Sequence, residues 1–355
     1  MLVGKLIKIH GKYPPNELST AFQVDLGFRF SDELKWNSDR GIPEVGLSLL
    51  VADFGNSAIL GQAVSVIPFA RWEKLLGKSW SFKFQYGLGA AWFNRPYDRN
   101  ENKTNLVIGS TFTAATQLNA RVDWQLSQVI GLNTGINFTH YSNSHVAVPN
   151  IGANVVSGSL GVRASLAGRQ APVGKVQRPL IAGKWRPGVR IGYGWHEFPG
   201  TIEPKDGPTY AVYNASLFAS KADQKSAFWQ VGLTYTYYPA FRNYIINQQL
   251  FSNLDGLNNK ASTLILYGSR QWSFGRVNGF AELGVNLHAP FMRALNEVWD
   301  LAKTRDLNLL VTGKLGFRYE IFELKNSPSR LYVSLAVKSN GGTADYLESS
   351  FVFLY

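Results

Sequence analysis

A period of two, held for ten residues or more at a time, restricts this chain more than any other feature. Between 82 and 92, Phe82, Phe84, Tyr86, Leu88, Ala90 and Trp92 share one parity, and Lys83, Gln85, Gly87, Gly89 and Ala91 share the other. Successive side chains of a strand point to opposite faces, so this split predicts a strand with one apolar face and one small or charged face. It recurs at Trp229, Val231, Leu233, Tyr235 and Tyr237, at Val189, Ile191, Tyr193 and Trp195, at Leu315, Phe317, Tyr319 and Ile321, and at Leu331, Val333, Leu335 and Val337. Strands of soluble proteins usually run about five or six residues, and these are roughly twice as long.

A soluble sandwich and a membrane barrel both give such alternation. Strand length, aromatics near both ends of the apolar face (Phe82 and Trp92, Trp229 and Tyr237) and a polar opposite face predict the barrel, with Phe82, Phe84, Leu88, Trp229, Leu233, Leu315 and Leu335 facing lipid. The last residues, Phe351, Phe353 and Tyr355, alternate up to an aromatic C-terminus. That ending resembles the signal by which bacterial outer-membrane barrels are recognised for assembly. Strands are expected over 20–31, 43–54, 62–73, 79–93, 114–126, 128–142, 152–166, 187–197, 209–221, 226–239, 261–273, 276–288, 308–322, 328–339 and 344–355, with 2–9 a further one. Such barrels have an even strand number, so the fold class is all-β: one transmembrane antiparallel β-barrel over 1–355, of 16 strands, with 14 as the fallback.

A periplasmic C-terminus puts the long 198–208, 240–260 and 289–307 connections outside and the short 222–225, 274–275 and 323–327 turns inside. The 167–186 segment departs from this rule, being long and yet inside. Segment 289–307 has helical spacing at Leu295, Val298, Trp299 and Ala302, which predicts a helix capping the barrel mouth. Residues 1–9 lack the apolar core and small-residue cleavage site of a signal peptide, so the sequence reads as a mature form whose export signal has been removed. The absence of Cys excludes disulfides and cysteine-type zinc sites, and no cofactor or metal is expected. Thirty-six Lys and Arg against 24 Asp and Glu give a net charge of +12. These cations are spread along the chain instead of clustering among stacking aromatics, which argues against nucleic acid and for anionic lipid phosphates as partners.

Chemistry concentrates in 128–166. On its first strand Ile130, Leu132, Thr134, Ile136, Phe138, His140 and Ser142 share the lipid-facing parity, so that row ends in a His and a Ser. On the returning strand Asn154 leads Val156, Leu160 and Val162 on the same face. Residues two apart on a strand have Cα atoms about 7 Å apart, a gap that a leaning His side chain can bridge. A His so placed can take the Ser proton, and a third polar group on its other nitrogen fixes the tautomer. An isolated pair of this kind reads simply as polar residues at the lipid–water boundary. The wider pattern adds more: His140-x-Ser142-Asn143, then Pro149-Asn150-x-Gly152-x-Asn154.

This pattern resembles the signature of the lipid A 3-O-deacylase family of outer-membrane barrels, a strand-borne His-x-Ser-Asn followed by Pro-Asn-x-Gly-x-acid. The resemblance implies that Ser142 is the nucleophile, His140 the base and residue 154 its orienting partner, with Asn143, Asn150 and the backbone near Gly152 as oxyanion or substrate-positioning groups. Asn154 stands where that family places Glu. The His-x-Ser pair with an Asn at this spacing is also similar to outer-membrane phospholipase A. That family carries Gly-Arg after its Ser-Asn and binds calcium, whereas Ser144 and His145 stand here, so calcium is not expected. His145 is expected to be solvated, Asp123 to line the lumen, and Asp98 or Glu101 to be the nearest acids able to supply a missing charge. The expected function is an outer-membrane acyl-ester hydrolase acting on lipid A from the outer-leaflet side. The alternatives are an inactive deacylase-like subunit of a larger outer-membrane assembly with protein partners, a phospholipase, and a porin-like channel.

Overall fold

The computed structural model describes residues 1–8, 11–28, 44–166, 183–198, 202–203, 205–224, 227–274, 276–298, 310–323, 329–341 and 343–355. Its strands are β1 (Leu2–Leu6), β2 (Ser19–Phe28), β3 (Glu44–Asp53), β4 (Gln62–Leu75), β5 (Trp80–Phe93), β6 (Phe112–Gln125), β7 (Ile130–Ser142), β8 (Ala153–Ala164), β9 (Arg186–Glu197), β10 (Thr209–Gln224), β11 (Ala227–Tyr237), β12 (Ser262–Phe274), β13 (Val277–His288), β14 (Val311–Glu323), β15 (Arg330–Asn340) and β16 (Thr343–Leu354). Each falls within a few residues of an expected stretch, and the even count of sixteen holds.

The sheet closes twice. β1 pairs with β8, and β9 pairs with β16, both antiparallel, so two eight-stranded barrels stand in place of the single sixteen-stranded one expected over 1–355. Alternation fixes where strands lie and which face is apolar, but closure depends on which strand meets β1, a pairing about 150 residues away that leaves no local signal. The 167–186 exception has the same explanation, since that segment joins the last strand of one barrel to the first strand of the next.

In the first barrel the outward rows are apolar and exposed, as at Phe22, Leu49, Phe82, Phe84, Leu160 and Val162, while the inward rows are polar and buried. Its lumen holds linked ion pairs: Arg121 to Asp25 at 3.0 Å, Lys83 to Asp123 at 2.6 Å, and Arg71 to Glu44. Asp123 is therefore a lumen residue, as its parity required. A cavity of about 1030 Å³ opens among these groups, at the barrel end formed by the 76–79 and 126–129 turns. The other end carries the loops 7–18, 54–61, 94–111 and 143–152.

The second barrel has the same two-faced strands, with Trp229, Leu233, Leu315 and Leu335 exposed on its outside. Large charged side chains are buried inside it, as the diameter of eight strands allows. Arg190 pairs with Glu282 at 2.9 Å, Lys314 with Glu348 at 2.6 Å, and Arg318 stacks over Phe280. One end is closed by an aromatic cluster on two helices, α1 (Pro239–Gln248) and α3 (Pro290–Val298), with the single turn α2 (Leu257–Lys260) between them. The Phe241 ring stacks on Tyr238 and on Phe291, each at 4.1 Å. The expected capping helix is thus α3, and Leu295 packs on the cluster; Trp299 and Ala302 lie outside the described residues. Helix α1 was not foreseen. It starts at Pro239, where a missing N–H costs nothing, and ends at Gln249 in the left-handed region.

Candidate active site

Register on the first barrel brings His140 opposite Asn154, with Tyr141 opposite Ala153. His140, Ser142 and Asn154 therefore share the outward face, half-buried, at the end carrying the long loops. Tyr141, between the His and the Ser, points inward and is fully buried edge-on against Phe54 and Phe93, at 5.6 and 5.3 Å. That inward anchor fixes the strand on which the two outward side chains stand.

The His140 Nδ1 to Asn154 Oδ1 distance is 2.8 Å. An amide oxygen only accepts, so Nδ1 carries the proton, and in the neutral ring Nε2 is the nitrogen left to act as a base. The Tyr13 hydroxyl donates to Gly152 O at 2.6 Å and is hydrogen-bonded to the Asn154 side chain. A donor role for the Asn154 amide toward Tyr13 turns its oxygen toward His140. Burial pushes the Tyr13 phenol up to about 12, an effect that the Asn154 bond partly offsets, so it stays protonated at neutral pH. Sequence reading missed Tyr13: it lies in the loop between β1 and β2, and no local pattern ties it to a strand more than a hundred residues away.

Asn150 Nδ2 donates to Ser142 Oγ at 2.9 Å, and Asn150 Oδ1 accepts the Asn143 N–H at 3.3 Å. The Asn143 amide donates to Ala147 O at 2.7 Å and to Ser110 Oγ at 3.1 Å. Of the residues expected to position the oxyanion, Asn150 thus sits on the Ser, while Asn143 ties the loop together. Gly152 has φ +81, and a Cβ there would stand 3.3 Å from His140 Cε1 and 3.9 Å from Ser142 Cβ. Glycine is needed twice over, for the left-handed backbone and for space between the ring and the serine. Its N–H donates to Val107 O at 2.9 Å, which docks the 143–152 loop on the 94–111 loop.

The other expectations near the site fare differently. His145 is buried instead of solvated, with left-handed backbone at φ 70. Asp98 accepts the N–H groups of Asn100 and Glu101 at 2.8 Å each, which hold its carboxyl below the usual range, so it caps its own turn while His140 takes Asn154. No group of three or more metal-binding side chains occurs among the described residues.

Residues 20–163 match the family model described as Lipid A 3-O-deacylase (PagL). The matched span runs from β2 to β8, so it includes His140, Ser142, Asn150, Gly152 and Asn154 and stops short of the second barrel. No curated protein matches the chain. Among solved structures, a de novo designed transmembrane β-barrel is similar to 50% of this chain and 98% of its own at 12% identity and a TM-score of 0.25. The KdgM porin is similar over 82% of this chain and 94% of its own at 7% identity, with a TM-score of 0.19. CdiB from Acinetobacter baumannii covers 99% of this chain and 58% of its own at 9% identity, with a TM-score of 0.20.

Proposed function

We propose that the first barrel is an outer-membrane ester hydrolase that removes a fatty acyl chain from lipid A, with Ser142, His140 and Asn154 as its catalytic residues. The observation that carries this reading is the 2.8 Å bond from His140 to Asn154 on the lipid-facing wall, with Ser142 held on the same face by Asn150. The family match over this barrel supports the same substrate class. Lipid-facing placement suits a substrate that never leaves the bilayer, and the loop end is read as the outer-leaflet side.

Ser142 Oγ attacks the ester carbonyl carbon as its proton passes to His140 Nε2. The carbonyl oxygen becomes an oxyanion, and Asn150 Nδ2, already directed at Oγ, donates to it. Collapse of the tetrahedral intermediate breaks the ester C–O bond, and the departing sugar hydroxyl oxygen takes the proton from His140. Water then attacks the acyl-enzyme by the same route, releasing the fatty acid and regenerating Ser142. Asn154 holds the productive tautomer but brings no negative charge to the imidazolium, so this triad orients more than it stabilises.

Mass spectrometry of lipid A and of phospholipids after incubation with purified protein tests the proposal. Loss of one acyl chain from lipid A is the expected result. Fatty acid released from phospholipid alone would move the assignment to a phospholipase, which the amide at 154 also fits; no release from either would leave the barrel an inactive scaffold.

A further inference from the structure

Lys5 interrupts an apolar outward row of the first barrel. Its strand presents Val3, Lys5 and Ile7 to the outside, all exposed, and the Ile7 N–H continues the ladder to Asn154 O at 2.7 Å. Lysine on a lipid-facing wall is costly, and in such places an ionisable group usually marks a site. Among the described residues Lys5 has no acidic partner, unlike the lumen cations Lys83 and Arg121. Among the described residues no acidic group accounts for its charge, and what an outer wall of this kind touches is lipid.

Its position is specific. Lys5 pairs across the seam with Val156, the outward residue next along β8 from Asn154, and Asn154 pairs with His140. Two strand spacings of about 4.8 Å separate β1 from β7, and by register Lys5 lies level with Phe138, two residues short of His140 and four short of Ser142 along β7, an offset that a lysine stem and a bound lipid phosphate together can cover. The other flank of the serine is unlike this one. There Ala114 and Thr116 lie opposite Ser142 and His140, and Ala90 lies opposite Ala114, all small and uncharged. A lipid with its ester at Ser142 therefore meets a cation on one side and a shallow uncharged strip on the other.

We propose that Lys5 is a specificity residue that binds a phosphate of the lipid whose ester reaches Ser142, so that the barrel selects a phosphorylated glycolipid over its dephosphorylated form. This rests on the esterase reading of Ser142. The ammonium forms charge-assisted hydrogen bonds to phosphate oxygens in a poorly hydrated setting, where such bonds are stronger than in water.

The test uses the full chain in neutral detergent micelles, with lipid A and enzymatically dephosphorylated lipid A as substrates. Wild type is expected to show a KM about tenfold lower for the phosphorylated lipid, roughly the worth of one charge-assisted contact. Lys5→Gln should bring the ratio of the two KM values toward one with kcat for lipid A little changed, and Lys5→Arg should restore the ratio. Lys5→Leu should lose the ratio while leaving the barrel folded, since a leucine suits a lipid-facing position. A ratio unaffected by Lys5→Gln, or an equal rise of both KM values, overturns the proposal. Adding phosphatidylglycerol separates the sources of phosphate: a dependence on Lys5 that appears only with that lipid present assigns the site to a neighbouring headgroup and overturns the substrate assignment. Should wild type cleave neither lipid, the esterase reading fails by itself. Equilibrium binding of the two lipids to wild type and Lys5→Gln then decides, because equal affinities would reject a phosphate site and a lost preference would keep it.

Discussion

The two barrels share strand number and alternation but place their polar residues differently. In the first, polarity breaks through to the outside at His140, Ser142 and Asn154, and the lumen keeps a cavity of about 1030 Å³. In the second, the cations Arg190, Lys314 and Arg318 are buried in the lumen, and the outward rows of β11, β14 and β15 are apolar through Trp229, Leu233, Leu315, Phe317 and Leu335. An eight-stranded lumen is narrow enough for side chains to occupy much of it. Among the described residues the outward His, Ser and Asn cluster belongs to the first barrel, which is why the proposed lipid chemistry is assigned to that outer wall.

The sharpest way to break this contrast is Ser142→Ala, expected to lower acyl release from lipid A by several orders of magnitude. The serine is half-buried on an outer wall, so its loss opens no core cavity and the fold should persist; undiminished release in a mass-spectrometric assay would sink the proposed role of the first barrel. Next in size, Glu282→Ala in the second barrel removes the carboxylate 2.9 Å from the buried Arg190, leaving Glu348 at 4.0 Å, and should cost about 3 kcal/mol of stability in denaturant titration. Hydrolysis by the folded protein should be untouched, and a parallel loss of activity would show that the division of labour between barrels is drawn too cleanly.

Asn154→Ala should slow turnover roughly ten- to a hundredfold by freeing the imidazole tautomer, whereas Asn154→Glu should be tolerated. If Asn154→Ala turned over at the wild-type rate, His140 would need a different partner. The smallest effect expected is that of Tyr13→Phe. Removing one hydroxyl that steadies both Gly152 and Asn154 forfeits about 1 kcal/mol, a few-fold in rate. Single-turnover kinetics would resolve it, and a change confined to unfolding would give Tyr13 a purely structural part.

How far the sequence could be read follows from the range of each interaction. Strands and faces were legible because parity is local: Phe82 and Trp92 announce their side within one strand. The contact of His140 with Asn154 was legible for the same reason, since their parity placed both outward on consecutive strands that pair as a hairpin. Closure after β8 was hidden, because nothing near Leu2 shows that it will face Ser159. Tyr13 was hidden likewise, being joined to Asn154 only through the closed barrel. The hydrogen bonds of the Asn143 amide to Ala147 O and Ser110 Oγ were hidden too, because they depend on how the loops fold together.

The seam that closes the first barrel is also its thinnest piece of sheet. β1 is five residues long and pairs with β2 only from Leu2↔Ala21 to Gly4↔Ser19 among the described residues; its ladder to β8, from Leu2↔Ser159 to Leu6↔Val155, extends by single residues to Met1 and Ile7. Opening free energies track the length of ladder that must be broken, so amide protons of β1 should exchange with solvent sooner than those of the long β5–β6 ladder opposite. β8, which brings Asn154 to the site, borders that seam directly. Fraying of β1 would uncover its ladder edge and carry Lys5 away from His140, so the proposed phosphate contact rests on the shortest strand of the described wall.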